Sequence, residues 1–187
     1  LAAATARGRE QRESLKLVHD ILAEAIDASR TLAHELCPPM LYRGGLSIAL
    51  DWLASQMKER HSLRVSLKME PDIDAASEPI KVFVFTSVRE LLFNVVKHSG
   101  VREACVTACC RSGRLQVKVS DEGQGVDPRI LQVGGGDTQG FGLISIRERA
   151  EMLGGELTLD SRPGRGSLFI LCCPITGKRG GASETPA

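Results

Sequence analysis

The chain of 187 residues is poor in aromatic residues and has no excess of charge of either sign. Phe, Trp and Tyr make up 4% of it, and 24 basic against 23 acidic residues leave a formal net charge of +1. A near-neutral chain gives no support for nucleic-acid binding. A signal peptide is missing too, as is any run of about 18 apolar residues that would predict a membrane-spanning helix. We therefore expect a cytoplasmic chain with no nucleic-acid partner and no membrane contact.

The six cysteines are not spaced as the ligands of a zinc site are. They are Cys37, Cys105, Cys109, Cys110, Cys172 and Cys173. Their grouping raises the alternative of a metal or redox site. There is no C-x-x-C pair and no histidine at ligand spacing, which argues against zinc. All but Cys37 fall in predicted strands, and we predict that period-two alternation places them as small core residues.

A long amphipathic helical arm is predicted over residues 10–37 and is closed by Pro38 and Pro39. One stripe of this helix holds Leu15, Val18, Leu22, Ala25, Ile26, Ser29, Ala33 and Leu36. A single helix cannot bury its own stripe, so the arm needs a partner helix from the same protein or from a second subunit.

A second helix, over 79–98, has one apolar and one polar side. The apolar side holds Ile80, Val84, Val88, Leu91 and Val95 at three- and four-residue steps. The polar side holds Glu90, Asn94, Lys97 and His98, which are neighbours at i, i+3 and i+4. An Asn amide oxygen is a suitable Mg²⁺ ligand where waters and substrate phosphates complete the shell, and the basic side chains would face phosphate charge.

Two glycine motifs follow. Asp121-Glu122-Gly123-Gln124-Gly125 comes after a β-hairpin of strands 104–110 and 114–120 with Ser112-Gly113 at its turn. Glycines there permit unusual backbone conformations and close approach of a flat ring. Gly140-Phe141-Gly142-Leu143 opens a helix over 141–153, which Gly154-Gly155 ends. A helix N-terminus is suited to anions, phosphates above all.

The remaining periodic segments are a helix over 46–60 and strands over 63–69, 156–160 and 166–173. We predict an α/β two-layer sandwich, in which a mixed β-sheet is covered on one face by the three helices. The helical arm precedes it.

In this order, the motifs resemble the ATP-binding domain shared by gyrase-type topoisomerases, the ninety-kilodalton heat-shock chaperone, sensor histidine kinases and mismatch-repair ATPases. The match runs from about Glu78 to Pro174 and contains the N, G1 and G2 boxes of that family. The resemblance implies ATP and Mg²⁺ as cofactors, with Asn94 as the Mg²⁺ ligand and Asp121 as the carboxylate that recognises adenine. Further ATP-binding residues implied are Lys97, His98, Gly123, Gly125, Gly140, Gly142, Leu143 and Ser167.

Ser167 ends the turn Ser-Arg-Pro-Gly-Arg-Gly-Ser at 161–167, where the family usually has Thr. The hydroxyl is retained, so we expect it to support the Asp121 region.

The segment from Thr31 to Leu46 resembles the end of the second dimerisation helix of sensor histidine kinases, in the subfamily typified by nitrate sensors. The short lid from Val126 to Gln139 is also similar to that subfamily. The resemblance implies that residues 1–45 are the C-terminal part of the dimerisation and phosphotransfer region. Residues 46–175 would then be the catalytic ATP-binding domain, and 176–187 a disordered tail.

Such a kinase transfers the γ-phosphoryl of ATP to a histidine, and then to an aspartate of a response regulator, as a homodimer. The resemblance implies that Glu90 orients or deprotonates the acceptor imidazole. His19 superficially resembles the acceptor, but no turn signal separates it from Leu36, so it lies on the wrong helix. Since the chain begins at Leu1 rather than Met, we expect a piece of a longer protein that carries the acceptor helix and any membrane anchor elsewhere.

Two alternatives remain open. An anti-sigma-type protein-serine kinase shares the three boxes, but it has no reason to carry the corner from Leu36 to Leu46. A nucleotide-binding module that has kept the fold and lost phosphotransfer is harder to separate, although Glu90 and Asn94 are both retained.

Overall fold

A computed structural model describes residues 39–127 and 141–176. The described residues from Met40 onward belong to one compact unit. The predicted arm, Cys37, Gly140, most of the predicted lid and the tail from 177 lie outside the described residues. The division of the chain at 45 and 175 therefore stays a prediction.

The described chain contains three α-helices and five strands. The helices are α1 (Met40–His61), α2 (Glu78–Asn94) and α3 (Phe141–Met152). The strands are β1 (Arg64–Met69), β2 (Glu103–Arg111), β3 (Arg114–Asp121), β4 (Glu156–Ser161) and β5 (Ser167–Pro174). A 3₁₀ turn (Pro71–Ala75) precedes α2, and a π-helical turn (Val95–Ser99) extends it. The sheet order is β1-β2-β3-β5-β4, in which only the β1–β2 pair is parallel, so the predicted mixed sheet is confirmed.

The core lies between the helices and one face of this sheet. The buried strand residues alternate along β2, β3 and β5 and include Ala104, Val106, Ala108, Leu115, Val117, Val119, Phe169 and Leu171. The predicted apolar stripe of α2 is buried as well: Ile80, Val84, Val88, Leu91 and Val95 are each at most 3% exposed. Removal of this apolar surface from water is the main stabilising contribution. The two-layer sandwich is confirmed.

The cysteines follow the predicted alternation but not the predicted burial. Cys105, Cys109 and Cys172 alternate with the core residues, so they lie on the other face and are half-buried. Cys110 is half-buried too, and only Cys173 of the described cysteines is buried. The core prediction is therefore wrong for Cys105, Cys109 and Cys172, because adjacent strand residues point to opposite faces. Cys110 lies on the core face, opposite Leu115, but near the end of β2, where it is not fully buried. The described residues contain no cluster of three or more His, Cys, Asp or Glu able to hold a metal.

Local turns are formed by the residues that the sequence indicated. Ser112 (φ 51°) and Gly113 (φ 72°) both have positive φ and join the paired residues Arg111 and Arg114. This is the type I′ geometry that matches the strand twist. At the end of α3, Gly154 has φ 75°, and its N–H donates to the Glu151 carbonyl at 3.0 Å. The predicted helix stop is confirmed.

Helix α1 begins earlier than predicted and is kinked at Gly45, which has φ 84° and ψ −178°. Beyond the kink, Asp74 of the 3₁₀ turn accepts hydrogen bonds from the backbone N–H groups of Leu46 and Ser47 and from the Ser47 hydroxyl. A carboxylate that is distant in sequence thus caps the second part of α1. Among the described helices, none has both the length and the apolar character that a membrane crossing requires.

Candidate active site

A cavity of about 360 Å³ lies between the end of α2, the loop after β3 and the first turn of α3. Its lining comprises Asn94, Val95, His98, Ser99, Asp121, Gln124, Gly125, Val126, Asp127, Leu143, Ser167 and Phe169. The structure therefore brings six of the predicted site residues together, namely Asn94, His98, Asp121, Gly125, Leu143 and Ser167. They come from segments that are far apart in sequence, as a ligand site built by a fold requires.

Lys97 does not line this cavity. Its side chain is exposed, with Nζ 5.9 Å from the centroid of the Phe93 ring, at cation–π distance. The cause is the π-helical turn Val95–Ser99, which replaces the α-helix predicted through His98. A wider turn advances each residue by a smaller angle, so Lys97, three residues after Asn94, is turned away from the side of Asn94, whereas His98, four residues after it, stays near that side. His98 keeps its place at the cavity.

The π-helical turn is stabilised by Ser99, whose side chain is buried. The Ser99 hydroxyl donates to the Val95 carbonyl at 2.7 Å and accepts from the Val101 N–H at 3.1 Å. Gly100 then ends the turn with φ 77°. Such turns occur often at functional sites, yet the sequence gives no periodic signal for this one.

Asp121, at the end of β3, is half-buried beside the cavity. Its Oδ1 accepts from the Gly123 N–H at 2.8 Å, and the Ser167 side chain hydrogen-bonds to the same carboxylate. Burial raises the pKa of Asp121, and the hydrogen bonds from Gly123 and Ser167 oppose that rise. An ionised carboxylate only accepts hydrogen bonds, so this group is suited to an amino group on a bound ring.

The two glycines after Asp121 are required for different reasons. Gly125 has φ 71°, the unusual backbone conformation that the sequence predicted for glycine in this motif. A Cβ at this position would also collide with the Arg162 carbonyl. Gly123 does not have positive φ. Instead, a Cβ on Gly123 would collide with the Ser99 carbonyl and would lie 2.8 Å from Asp121 Oδ1. The absence of a side chain leaves room for both groups.

The loop Asp121–Val126 is fastened on two sides. Toward the π-helical turn, Gln124 donates from its backbone N–H to the Ser99 carbonyl at 2.9 Å and from its side chain to the His98 carbonyl. Toward the turn between β4 and β5, hydrogen bonds run from Gly166 N–H to the Gly123 carbonyl (2.8 Å), from Gly164 N–H to the Gln124 carbonyl (2.7 Å) and from Val126 N–H to Ser161 Oγ (2.9 Å). The sequence did not predict Gln124, Ser99 or Ser161 as site residues. Ser161 is, however, the first residue of the turn at 161–167 that the sequence indicated.

Glu90 lies one α-helical turn before Asn94 and does not line the cavity. Its carboxylate reaches the first turn of α3, where a Cβ on Gly142 would collide with Glu90 Oε1. Gly142 therefore permits close approach of the two helices, and a negative charge at a helix N-terminus is favourable. Gly140, the other predicted glycine of this motif, lies outside the described residues.

The donor set around Asn94 fits a magnesium ion that arrives with a phosphate ligand. Asn94 offers a neutral amide oxygen, and the described part of the chain contains no group of three or more His, Cys, Asp or Glu residues that could hold a metal without a substrate ligand. Mg²⁺ commonly keeps waters and takes substrate phosphates instead of filling an all-protein cage. The residues present therefore suit Mg²⁺ carried by a nucleotide.

The sequence is similar to known proteins. The family described as histidine kinase-, DNA gyrase B- and HSP90-like ATPase matches residues 80–177. The oxygen sensor histidine kinase NreB of Staphylococcus carnosus is 29% identical over 168 residues, which are 88% of this chain and 46% of NreB. The sensor histidine kinase NarS of Mycobacterium tuberculosis is 34% identical over 156 residues, 82% of this chain and 35% of NarS. The chain thus spans less than half the length of either relative.

Among solved structures, the blue-light activated histidine kinase of Erythrobacter litoralis EL346 aligns with a TM-score of 0.61 at 20% identity, covering 81% of this chain and 50% of that one. This similarity supports the fold. Because the family match covers more than half of the chain and spans the residues predicted to form the N, G1 and G2 boxes, the chain belongs to the histidine kinase-, DNA gyrase B- and HSP90-like ATPases, and within them it is of the sensor histidine kinase type.

Proposed function

We propose that this domain binds Mg·ATP in the 360 Å³ cavity and that the longer protein transfers the γ-phosphoryl to a histidine. A response regulator would then receive the phosphoryl on an aspartate. The observation that carries the proposal is the convergence of Asp121, Asn94 and His98 on one cavity in a chain of this family. The cytoplasmic location and homodimeric state of the longer protein belong to the same proposal.

In the proposed complex, Asp121 accepts a hydrogen bond from the exocyclic amine of adenine, and Gly125 keeps the loop beside the ring narrow. Asn94, His98 and the first turn of α3 face the phosphates, since backbone N–H groups at a helix N-terminus bind anions. When bound, Mg²⁺ supplies charge neutralisation across the phosphates. Ser167 supports the Asp121 carboxylate through its hydroxyl.

Two predicted residues act from outside the cavity. Lys97 has to leave the Phe93 ring to reach a phosphate, and an exposed cation–π contact costs only about 0.5–1 kcal/mol to break. Glu90 is proposed to orient or deprotonate the acceptor imidazole, a role that needs a carboxylate within hydrogen-bond reach. Positioning and charge neutralisation then supply most of the rate enhancement.

The test is transfer of label from γ-labelled ATP in the longer protein that carries the upstream helix. We expect acid-labile, alkali-stable label, the behaviour of phosphohistidine, and its loss in Asp121→Asn. Acid-stable label would instead indicate a protein-serine kinase. Nucleotide binding without any label on the protein would indicate a module that has lost phosphotransfer.

A further inference from the structure

Ser161, the last residue of β4, is 6% exposed and joins three segments at one hydroxyl. Its Oγ accepts from the Val126 N–H at 2.9 Å and donates to the Gly166 carbonyl at 2.8 Å. It also lies 3.3 Å from the hydroxyl oxygen of Ser167. The end of β4, the start of β5 and the end of the loop after β3 therefore depend on one side chain.

Through the Gly166 carbonyl, which directly precedes Ser167 in the chain, this hydroxyl is connected to the adenine-facing carboxylate. Asp121 and Ser167 are paired residues of β3 and β5, and the Ser167 side chain hydrogen-bonds to Asp121. Ser161 itself does not line the 360 Å³ cavity. Its influence on a ligand must therefore pass through Ser167 and Val126, which both line it.

We propose that Ser161 is a positioning residue that couples nucleotide binding at Asp121 to fixation of the chain at Val126. The inference rests on the proposed function, because the ligand is the nucleotide of that function. Binding that holds Asp121 and Ser167 in place also holds Ser161, and Ser161 then holds the Val126 N–H. The two ends of the loop Asp121–Val126 respond as one unit.

Removal of the hydroxyl leaves the Val126 N–H and the Gly166 carbonyl each without this partner. A buried polar group left without its partner is destabilising. Because the nucleotide-bound state needs these groups held in place more than the free state does, we expect nucleotide affinity to drop about tenfold, which corresponds to about 1.4 kcal/mol. Ser161→Thr keeps the hydroxyl and is expected to restore affinity.

The experiment compares Ser161→Ala, Ser161→Thr and Ser87→Ala. Ser87 is a matched control because it is also buried, at 2% exposure, while its hydroxyl has no hydrogen-bond partner among the described residues. Two quantities are measured: affinity for a non-hydrolysable ATP analogue with Mg²⁺, and hydrogen exchange at the Val126 amide with and without that analogue.

In the wild type and in Ser87→Ala, we expect the analogue to slow exchange at Val126. In Ser161→Ala, we expect about tenfold weaker binding and no nucleotide-dependent slowing, with both restored by Ser161→Thr. Wild-type affinity in Ser161→Ala, or weaker binding that still slows exchange at Val126, would overturn the coupling.

If Ser161→Ala does not fold, Ser161→Cys replaces it, since a thiol is a weak donor and acceptor of similar size. Unchanged affinity and unchanged slowing in Ser161→Cys would overturn the inference. Failure of the wild type to bind the analogue would overturn the proposed function instead.

Discussion

The two ends of β3 are held by different kinds of contact. At the Asp121 end, the neighbouring loop is fixed by hydrogen bonds from Gly166, Gln124 and Val126, and the acceptor Ser161 is buried. At the Arg114 end, an exposed ion pair joins Arg111 to Glu70 at 2.8 Å, with side chains 74% and 46% exposed, beside a part-buried hydrogen bond from Arg114 Nε to Cys172 Sγ at 3.1 Å. The strand is the same, but its surroundings differ in access to water.

The difference shows which end of β3 has its backbone groups held in fixed positions. An exposed ion pair contributes about 0–1 kcal/mol, because water screens it and two long side chains lose freedom. Buried hydrogen bonds are costly to leave unmade, so they hold backbone groups in one arrangement. Fixed geometry is therefore found at the end of β3 that carries the cavity.

The largest effect is expected from Asp121→Asn, which removes the acceptor for the adenine amine. We expect ATP binding to be lost while the circular dichroism spectrum is unchanged. Arg111→Ala, at the other end of the β2–β3 hairpin, is the control and should bind like the wild type. Normal affinity in Asp121→Asn would remove Asp121 from the site.

A large effect of another kind is expected from Glu90→Gln. Because Glu90 lies outside the cavity, nucleotide affinity should be retained, whereas phosphotransfer in the longer protein should fall about 100-fold or more, the usual range for a lost general base. Calorimetry gives the affinity, and labelled ATP gives the rate. Unaltered transfer rates would deprive Glu90 of its proposed role.

A glycine pair sharpens the comparison of the two ends. Gly166 (φ 74°) and Gly113 (φ 72°) share a left-handed conformation, but a Cβ on Gly166 would collide with the Asp121 carbonyl, while Gly113 has no such neighbour within 4 Å. Gly113→Ala should lower the free energy of unfolding by about 1–2 kcal/mol. Gly166→Ala should cost about 3 kcal/mol or more. If denaturant titration gives the same loss of free energy of unfolding for both variants, then backbone strain alone determines the loss and the collision with the Asp121 carbonyl adds nothing.

The smallest effect concerns pH. Burial raises the pKa of Asp121, so the folded state holds this proton more tightly than the unfolded state does. Stability is then lost as pH rises from the unfolded value of about 3.9 through the raised folded value. Without nucleotide, Asp121→Asn should be more stable than the wild type at pH 7, with a smaller gap at pH 4. Denaturant unfolding at both values checks this, and a gap that widens in acid would contradict it.

Features with a local cause could be predicted from the sequence. The stripe of α2, the hairpin turn at Ser112-Gly113 and the helix stop at Gly154 each follow from residues within one or two turns of one another. The sheet followed from strand periodicity, and its burial pattern confirms the alternation. The sequence did not show which cysteines of β2 and β5 face the core, because in each pair of adjacent cysteines either residue could do so.

Features that depend on distant residues could not be predicted. Asp74 caps α1 from 28 positions away, and Ser161 meets Val126 across 35 positions. No periodic pattern records either pairing. The π-helical turn that takes Lys97 away from the side of Asn94 likewise depends on the Ser99 contacts. The positions of Asp121 and Asn94 at one cavity were reached by family resemblance, whereas the bonds that hold them there came only with the structure.

Calorimetric titration of this chain with a non-hydrolysable ATP analogue, with and without Mg²⁺ and beside a GTP analogue, tests the central proposal most directly. We expect binding that requires Mg²⁺ and selects adenine over guanine, because Asp121 accepts from the adenine amine and Asn94 fits a phosphate-bound Mg²⁺. Absence of binding, or equal binding of the two purines, would contradict the assignment of the cavity to ATP.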